Sequence, residues 1–83
     1  MSDTYKLDIL RIIGEDTTPG KIQRFSFNTI GKKLQLSKDK LEILLTELSK
    51  DRFIANYAKK GVDSFTAEIK QKGLDAIQDE SFI

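Results

Sequence analysis

The side chains able to do chemistry in this 83-residue chain are lysines and carboxylates, because the sequence contains neither histidine nor cysteine. That composition removes the usual general base at neutral pH, the thiolate nucleophile and the zinc-thiolate site. The best remaining constellation for catalysis is Glu15 and Asp16 followed by Thr17 and Thr18. Without histidine, cysteine or a glycine-rich phosphate loop, those four read as ordinary turn residues, so no enzyme activity, cofactor or metal is expected. Lysines offer a different chemistry. Lys32 and Lys33, Lys38 and Lys40, and Lys59 and Lys60 come in three close pairs, and ammonium groups of this kind hold phosphates in place without reading a sequence.

The net charge of +1 hides an uneven distribution. Residues 1–20 sum to −2 and residues 61–83 to −3, whereas residues 21–60 carry ten bases against four acids, a net charge of +6. Two arrangements satisfy these numbers: a cationic face formed by the middle of the chain, or a solvated surface of mixed sign. A domain of this size buries only about 60–65% of the surface its unfolded chain exposes, so nearly every large apolar residue is needed for the core. The chain is expected to be one domain over residues 1–83. Its start lacks an apolar signal core, and no apolar run approaches the roughly 20 residues of a membrane span, which points to a soluble, cytoplasmic protein.

The elements that must position the lysines follow from periodicity. A first helix is expected from about Asp3 to Ile13, capped by Ser2 or Asp3 and stopped by Gly14, with Pro19-Gly20 in the loop beyond. Tyr5, Ile9, Ile12 and Ile13 form its stripe, and Leu7 and Leu10 widen it. Such breadth asks for a second partner: either a C-terminal helix of the same chain, or a second copy in a homodimer built on Tyr5, Leu7, Leu10 and that helix. Ile22–Phe25 suits a short edge strand, and Ser26 a helix N-cap. Phe27, Ile30 and Leu34 then define a second helix, in which Gly31 admits a neighbouring helix closely. Ser37 caps a third, whose face is Leu41, Leu44, Leu45 and Leu48. Phe53–Ala58, a turn at Lys59-Lys60-Gly61, and Val62–Ala67 predict a hairpin with a basic tip. A last helix is expected over about Ile69–Asp79, with Phe82 and Ile83 trailing it. The fold class is therefore α+β, mainly helical: a three-helix core, a short strand, a two-stranded hairpin and a C-terminal helix.

The run from Phe25 to Leu41 (Phe-Ser-Phe-Asn-Thr-Ile-Gly-Lys-Lys-Leu-Gln-Leu-Ser-Lys-Asp-Lys-Leu), followed by Leu44-Leu-Thr-Glu-Leu and Asp51-Arg-Phe-Ile, resembles a winged helix-turn-helix. The resemblance covers the whole chain. The stretch from Ile69 to Ile77 is similar to the segment after the wing in many small bacterial and phage-type regulators, and the chain is also similar to small YjcQ-like proteins. Two positions depart from the pattern: Gln35 stands where such turns often have glycine, and Lys70 where a capping threonine is common.

The resemblance implies that the helix from Lys38 to Lys50 is a recognition helix entering the major groove of duplex DNA, with the hairpin as a wing along the backbone. The DNA-binding residues it implies are Lys32, Lys33, Lys38, Lys40, Ile43, Thr46, Lys59 and Lys60, in a regulator or mobile-element accessory factor. The outward face of that helix, Lys38, Asp39, Lys40, Glu42, Ile43, Thr46 and Glu47, is short of the Arg, Asn and Gln that read base edges. Ile43 suits a thymine methyl, a protein contact, or no contact at all. A winged-helix module that docks proteins instead of DNA remains the alternative, because fold alone does not fix function.

Overall fold

The structure, a computed structural model, describes residues 2–81, with side chains from residue 4 onward. The expected capping side chains of Ser2 and Asp3 and the trailing pair Phe82 and Ile83 lie outside the described residues. Seven elements follow in order: α1 (Ser2–Asp16), β1 (Gln23–Ser26), α2 (Phe27–Leu34), α3 (Lys38–Lys50), β2 (Ile54–Lys60), β3 (Ser64–Ile69) and α4 (Gln71–Asp79). This is an α+β fold of four helices and one antiparallel sheet in the order β1-β3-β2. Among the described residues, no helix is long and apolar enough to cross a membrane.

α2 and α3 form where capping and periodicity place them. Ser26 Oγ accepts from Thr29 N–H and Ser37 Oγ from Lys40 N–H, each at 3.2 Å, satisfying one of the amide donors a helix start leaves open. Leu41, Leu44, Leu45 and Leu48 are all buried, as the leucine stripe of α3 requires. Three helices end in the same way. Gln35, Arg52 and Glu80 adopt left-handed backbone with φ of 58°, 68° and 53°. The next amide then reaches back to a carbonyl five residues earlier: Leu36 to Gly31, Phe53 to Leu48 and Ser81 to Ala76.

Several boundaries differ from the sequence reading. α1 runs through Gly14 to Asp16. That glycine admits a close neighbour instead of ending the helix, since a Cβ there would lie 3.1 Å from Ile69 Cδ1 and 3.2 Å from Ile77 Cδ1. Gly31 serves a close approach too, but the backbone it admits is the α2–α3 turn, with the Leu36 carbonyl oxygen 2.8 Å from the position of a Cβ. The hairpin turn is not at Lys59-Lys60-Gly61. Both lysines are paired in β2, opposite Phe65 and Ser64, and the turn falls at residues 61–63. Asp63 draws the turn there: its carboxylate accepts from Ser26 Oγ at 2.6 Å and from Asn28 N–H at 3.0 Å, and its carbonyl from Phe27 N–H at 2.8 Å. Finally, β3 extends to Ile69 and the last helix starts only at Gln71. The amides of Ile69 and Lys70 are committed to Thr17 Oγ1 at 3.0 Å and the Phe53 carbonyl at 3.1 Å, which keeps those residues extended.

One apolar cluster joins α1, the two central helices and the inner face of the sheet, with Phe65 at its centre touching the rings of Phe25, Phe27 and Tyr57. Ile9, Leu10 and Ile13 of α1 are fully buried in it, and Tyr5, Leu7 and Ile12 pack at its margin. α1 lies against both α3 and α4. The breadth of its stripe is thus used within the chain, and Leu10 is removed from any face that a second copy would meet.

Candidate nucleic-acid interface

The residues singled out in the sequence gather around three pieces of backbone: the end of α2, the start of α3 and the hairpin of β2 and β3. Two hydrogen-bonded joints hold these pieces together. Asp63 binds the hairpin turn to the start of α2, as described above. Lys38, in the first turn of α3, donates from Nζ to the Val62 carbonyl at 2.5 Å and lies 5.3 Å from the centroid of the Phe27 ring. A cleft of about 270 Å³ opens between these elements, lined by Phe27, Asn28, Lys32, Leu36, Lys38 and Asp63 among others. Lys32 of α2 and Lys38 of α3 therefore stand on one cleft beside the hairpin turn. Val62 at the turn is 87% exposed, the most accessible large apolar side chain among the described residues.

The six lysines are not equivalent. Lys32, Lys33, Lys40 and Lys60 are exposed, and among the described residues their ammonium groups make no ion pair or hydrogen bond. Lys38 has spent one of its three donors on Val62. Lys59 is engaged further: its Nζ lies 2.7 Å from Glu42 Oε1, linking β2 to the second turn of α3. The hydrogen bond from Lys59 holds the Glu42 carboxyl below its usual value, against partial desolvation and with help from the charges of Lys59 and Lys38. The same hydrogen bond and the Glu42 charge push the Lys59 ammonium up. The nearby Tyr57 phenol is pushed up by burial first and by Glu42 second.

Ile43 and Thr46 lie elsewhere, on the outward face of α3. They share a shallow groove of about 610 Å³ with Asp39, Glu42, Glu47, Lys50 and Lys59. Ile43 is 54% exposed on its floor. Glu47 is held by Lys6 of α1 at 2.8 Å, and that hydrogen bond lowers its carboxyl from the usual value. The groove thus sets three carboxylates against two ammoniums and offers no guanidinium or amide to a base edge. Of the eight residues, Lys32 and Lys38 line the cleft by the hairpin turn, Ile43, Thr46 and Lys59 line the apolar, mildly acidic groove, and Lys33, Lys40 and Lys60 line neither.

Sequence reasoning missed Asp63 and Lys6. Asp63 fell inside the expected strand Val62–Ala67, and its role depends on Ser26 and Asn28, more than thirty positions earlier. Of the turn-like group at 15–18, Thr17 is buried: its Oγ1 donates to the Ile13 carbonyl at 2.9 Å and accepts from Ile69 N–H, tying the α1 end to β3. Glu68 was not singled out at all, yet its side chain is 6% exposed and accepts from Gly20 N–H and Asn56 Nδ2, where Asn56 forms a left-handed bulge in β2. No protein-family model matches this chain, and neither a curated protein nor a solved structure matches it significantly.

Proposed function

We propose that this chain is a winged helix-turn-helix protein that binds duplex DNA mainly through the phosphate backbone, with α2 and α3 as the helix pair and the β2–β3 hairpin as the wing. The single observation that carries the reading is the convergence of Lys32, Lys38 and the hairpin turn on one cleft, with unpaired Lys33, Lys40 and Lys60 on the same three segments. Element order and the sheet order β1-β3-β2 fit the same reading. The outward face of α3 lacks the donors that discriminate bases, so contacts that position the duplex outweigh contacts that read it. A role in regulation or in a mobile element follows from the resemblance alone.

The test is binding of a labelled random-sequence duplex at two salt concentrations. Four free ammonium groups give a slope of log affinity on log salt of about −3.6, so affinity falls on the order of 100-fold between about 50 and 200 mM salt. Lys32→Gln and Lys33→Gln weaken every duplex to a similar degree. Absence of binding at the lower salt overturns the reading. A second reading, protein docking, is favoured by the exposed Ile43 in its groove. It requires that Ile43→Asp abolish capture of a partner while leaving duplex binding unchanged.

A further inference from the structure

The Glu42–Lys59 pair lies where the wing meets the recognition helix, and its consequence for the field is larger than its consequence for the fold. The pair is open to water, with the Lys59 side chain 61% exposed and that of Glu42 24% exposed. Ion pairs in such positions stabilise folded chains very little. Electrostatically, however, the carboxylate cancels the one wing lysine that reaches toward α3. A phosphate that bonded Lys59 would sit close to the Glu42 charge, and like charges at that range repel. The second acid on the outer face with a partner, Glu47, is neutralised by Lys6 of α1, away from the hairpin. The wing loses a cation only at Glu42.

We propose that Glu42 is an internal counter-ion that withholds Lys59 from nucleic-acid phosphates, so that α3 itself sets how weakly the wing holds a duplex. The proposal rests on the DNA-binding reading and names its negative determinant. Removing the charge while keeping a hydrogen-bond acceptor for Lys59 frees the ammonium's charge without dismantling the contact, and Glu42→Gln does that.

The experiment measures affinity for a labelled random-sequence duplex, across the same salt range, of the wild type, Glu42→Gln, Glu47→Gln, Lys59→Gln and the double variant Glu42→Gln with Lys59→Gln. Circular dichroism confirms that each is folded. Glu42→Gln binds several-fold tighter at the lower salt, and its salt slope steepens by roughly 0.9, the signature of one added phosphate contact. In the Lys59→Gln background the same substitution gains no more than Glu47→Gln does alone. Three outcomes overturn the proposal: no gain from Glu42→Gln in a protein that binds, a gain of equal size with and without Lys59, or a gain matched by Glu47→Gln. Failure of the wild type to bind at the lower salt overturns the DNA reading and, with it, the proposal.

Discussion

Gly73→Ala is expected to destabilise this protein severely, although alanine is the better helix former. Gly73 sits in the first turn of α4, close against the backbone of Phe53, the residue ahead of β2. Alanine gains up to about 1 kcal/mol of helix propensity over glycine in a helix interior, and less near an end. Against that gain, its Cβ would overlap the Phe53 carbonyl oxygen and lie 2.9 Å from Ile69 Cγ1. The carbonyl is backbone and already accepts the Lys70 amide at 3.1 Å, so relief requires α4 to move away and that hydrogen bond to stretch. Overpacking of this kind costs about 1–3 kcal/mol and occasionally more. With a lost hydrogen bond, worth about 1 kcal/mol, and a propensity gain of about 0.5 kcal/mol near a helix end set against both, the net effect is a destabilisation of about 1.5–3.5 kcal/mol. An 83-residue domain has on the order of 4–12 kcal/mol in total. The midpoint temperature therefore falls by at least about 6 °C, read by thermal and urea unfolding followed by circular dichroism. Gly14→Ala is the control, because its Cβ would meet only the flexible ends of Ile69 and Ile77 at 3.1 and 3.2 Å. That variant stays within about 1 kcal/mol of wild type, its propensity gain offsetting a small rearrangement. A Gly73→Ala protein as stable as the wild type would refute the close-approach argument.

Three further outcomes follow from the geometry. Gln35→Gly should stabilise the protein by about 0.5–1 kcal/mol in urea unfolding, because the left-handed backbone at φ 58° costs a side chain about 1–2 kcal/mol that glycine avoids. An unchanged midpoint would mean that the Gln35 side chain compensates its own strain. Glu68→Ala should destabilise by about 1–3 kcal/mol, since the buried carboxylate's hydrogen bonds from Gly20 N–H and Asn56 Nδ2 are lost. Hydrogen exchange at Gly20 should accelerate with it. NMR titration of Glu42 should give a higher midpoint in Lys59→Gln than in wild type, because the hydrogen bond that lowers it is gone. A carboxyl depressed in the fold contributes stability that is complete above its ordinary value and is lost as pH falls through the depressed one. The Glu42 and Glu47 contributions therefore disappear in acid, while that of Lys59, raised in the fold, is lost only as pH rises through its elevated value.

The sequence alone determined the order of the elements and the N-caps of α2 and α3. A period of 3.6 in α2 and α3, with Ser26 and Ser37 ahead of them, is local information: the residues that cap and bury each helix are within one turn or two of it. The α+β class and the lysine-bearing segments were legible for the same reason. Tertiary structure decided what depends on residues far apart in the chain. Asp63 reaches Ser26 and Asn28 and thereby moves the hairpin turn two residues along the chain, from 59–61 to 61–63. Thr17 and Phe53 take the amides of Ile69 and Lys70 and delay α4. α4 and α3 cover the wide stripe of α1 and bury Leu10. Glu42 pairs with Lys59 across the gap between a helix and a strand, and Glu47 with Lys6. Each of these is a hydrogen bond, charge pair or packing contact whose partners no local pattern connects, so its identity appears only when the chain has folded and distance in space replaces distance in sequence.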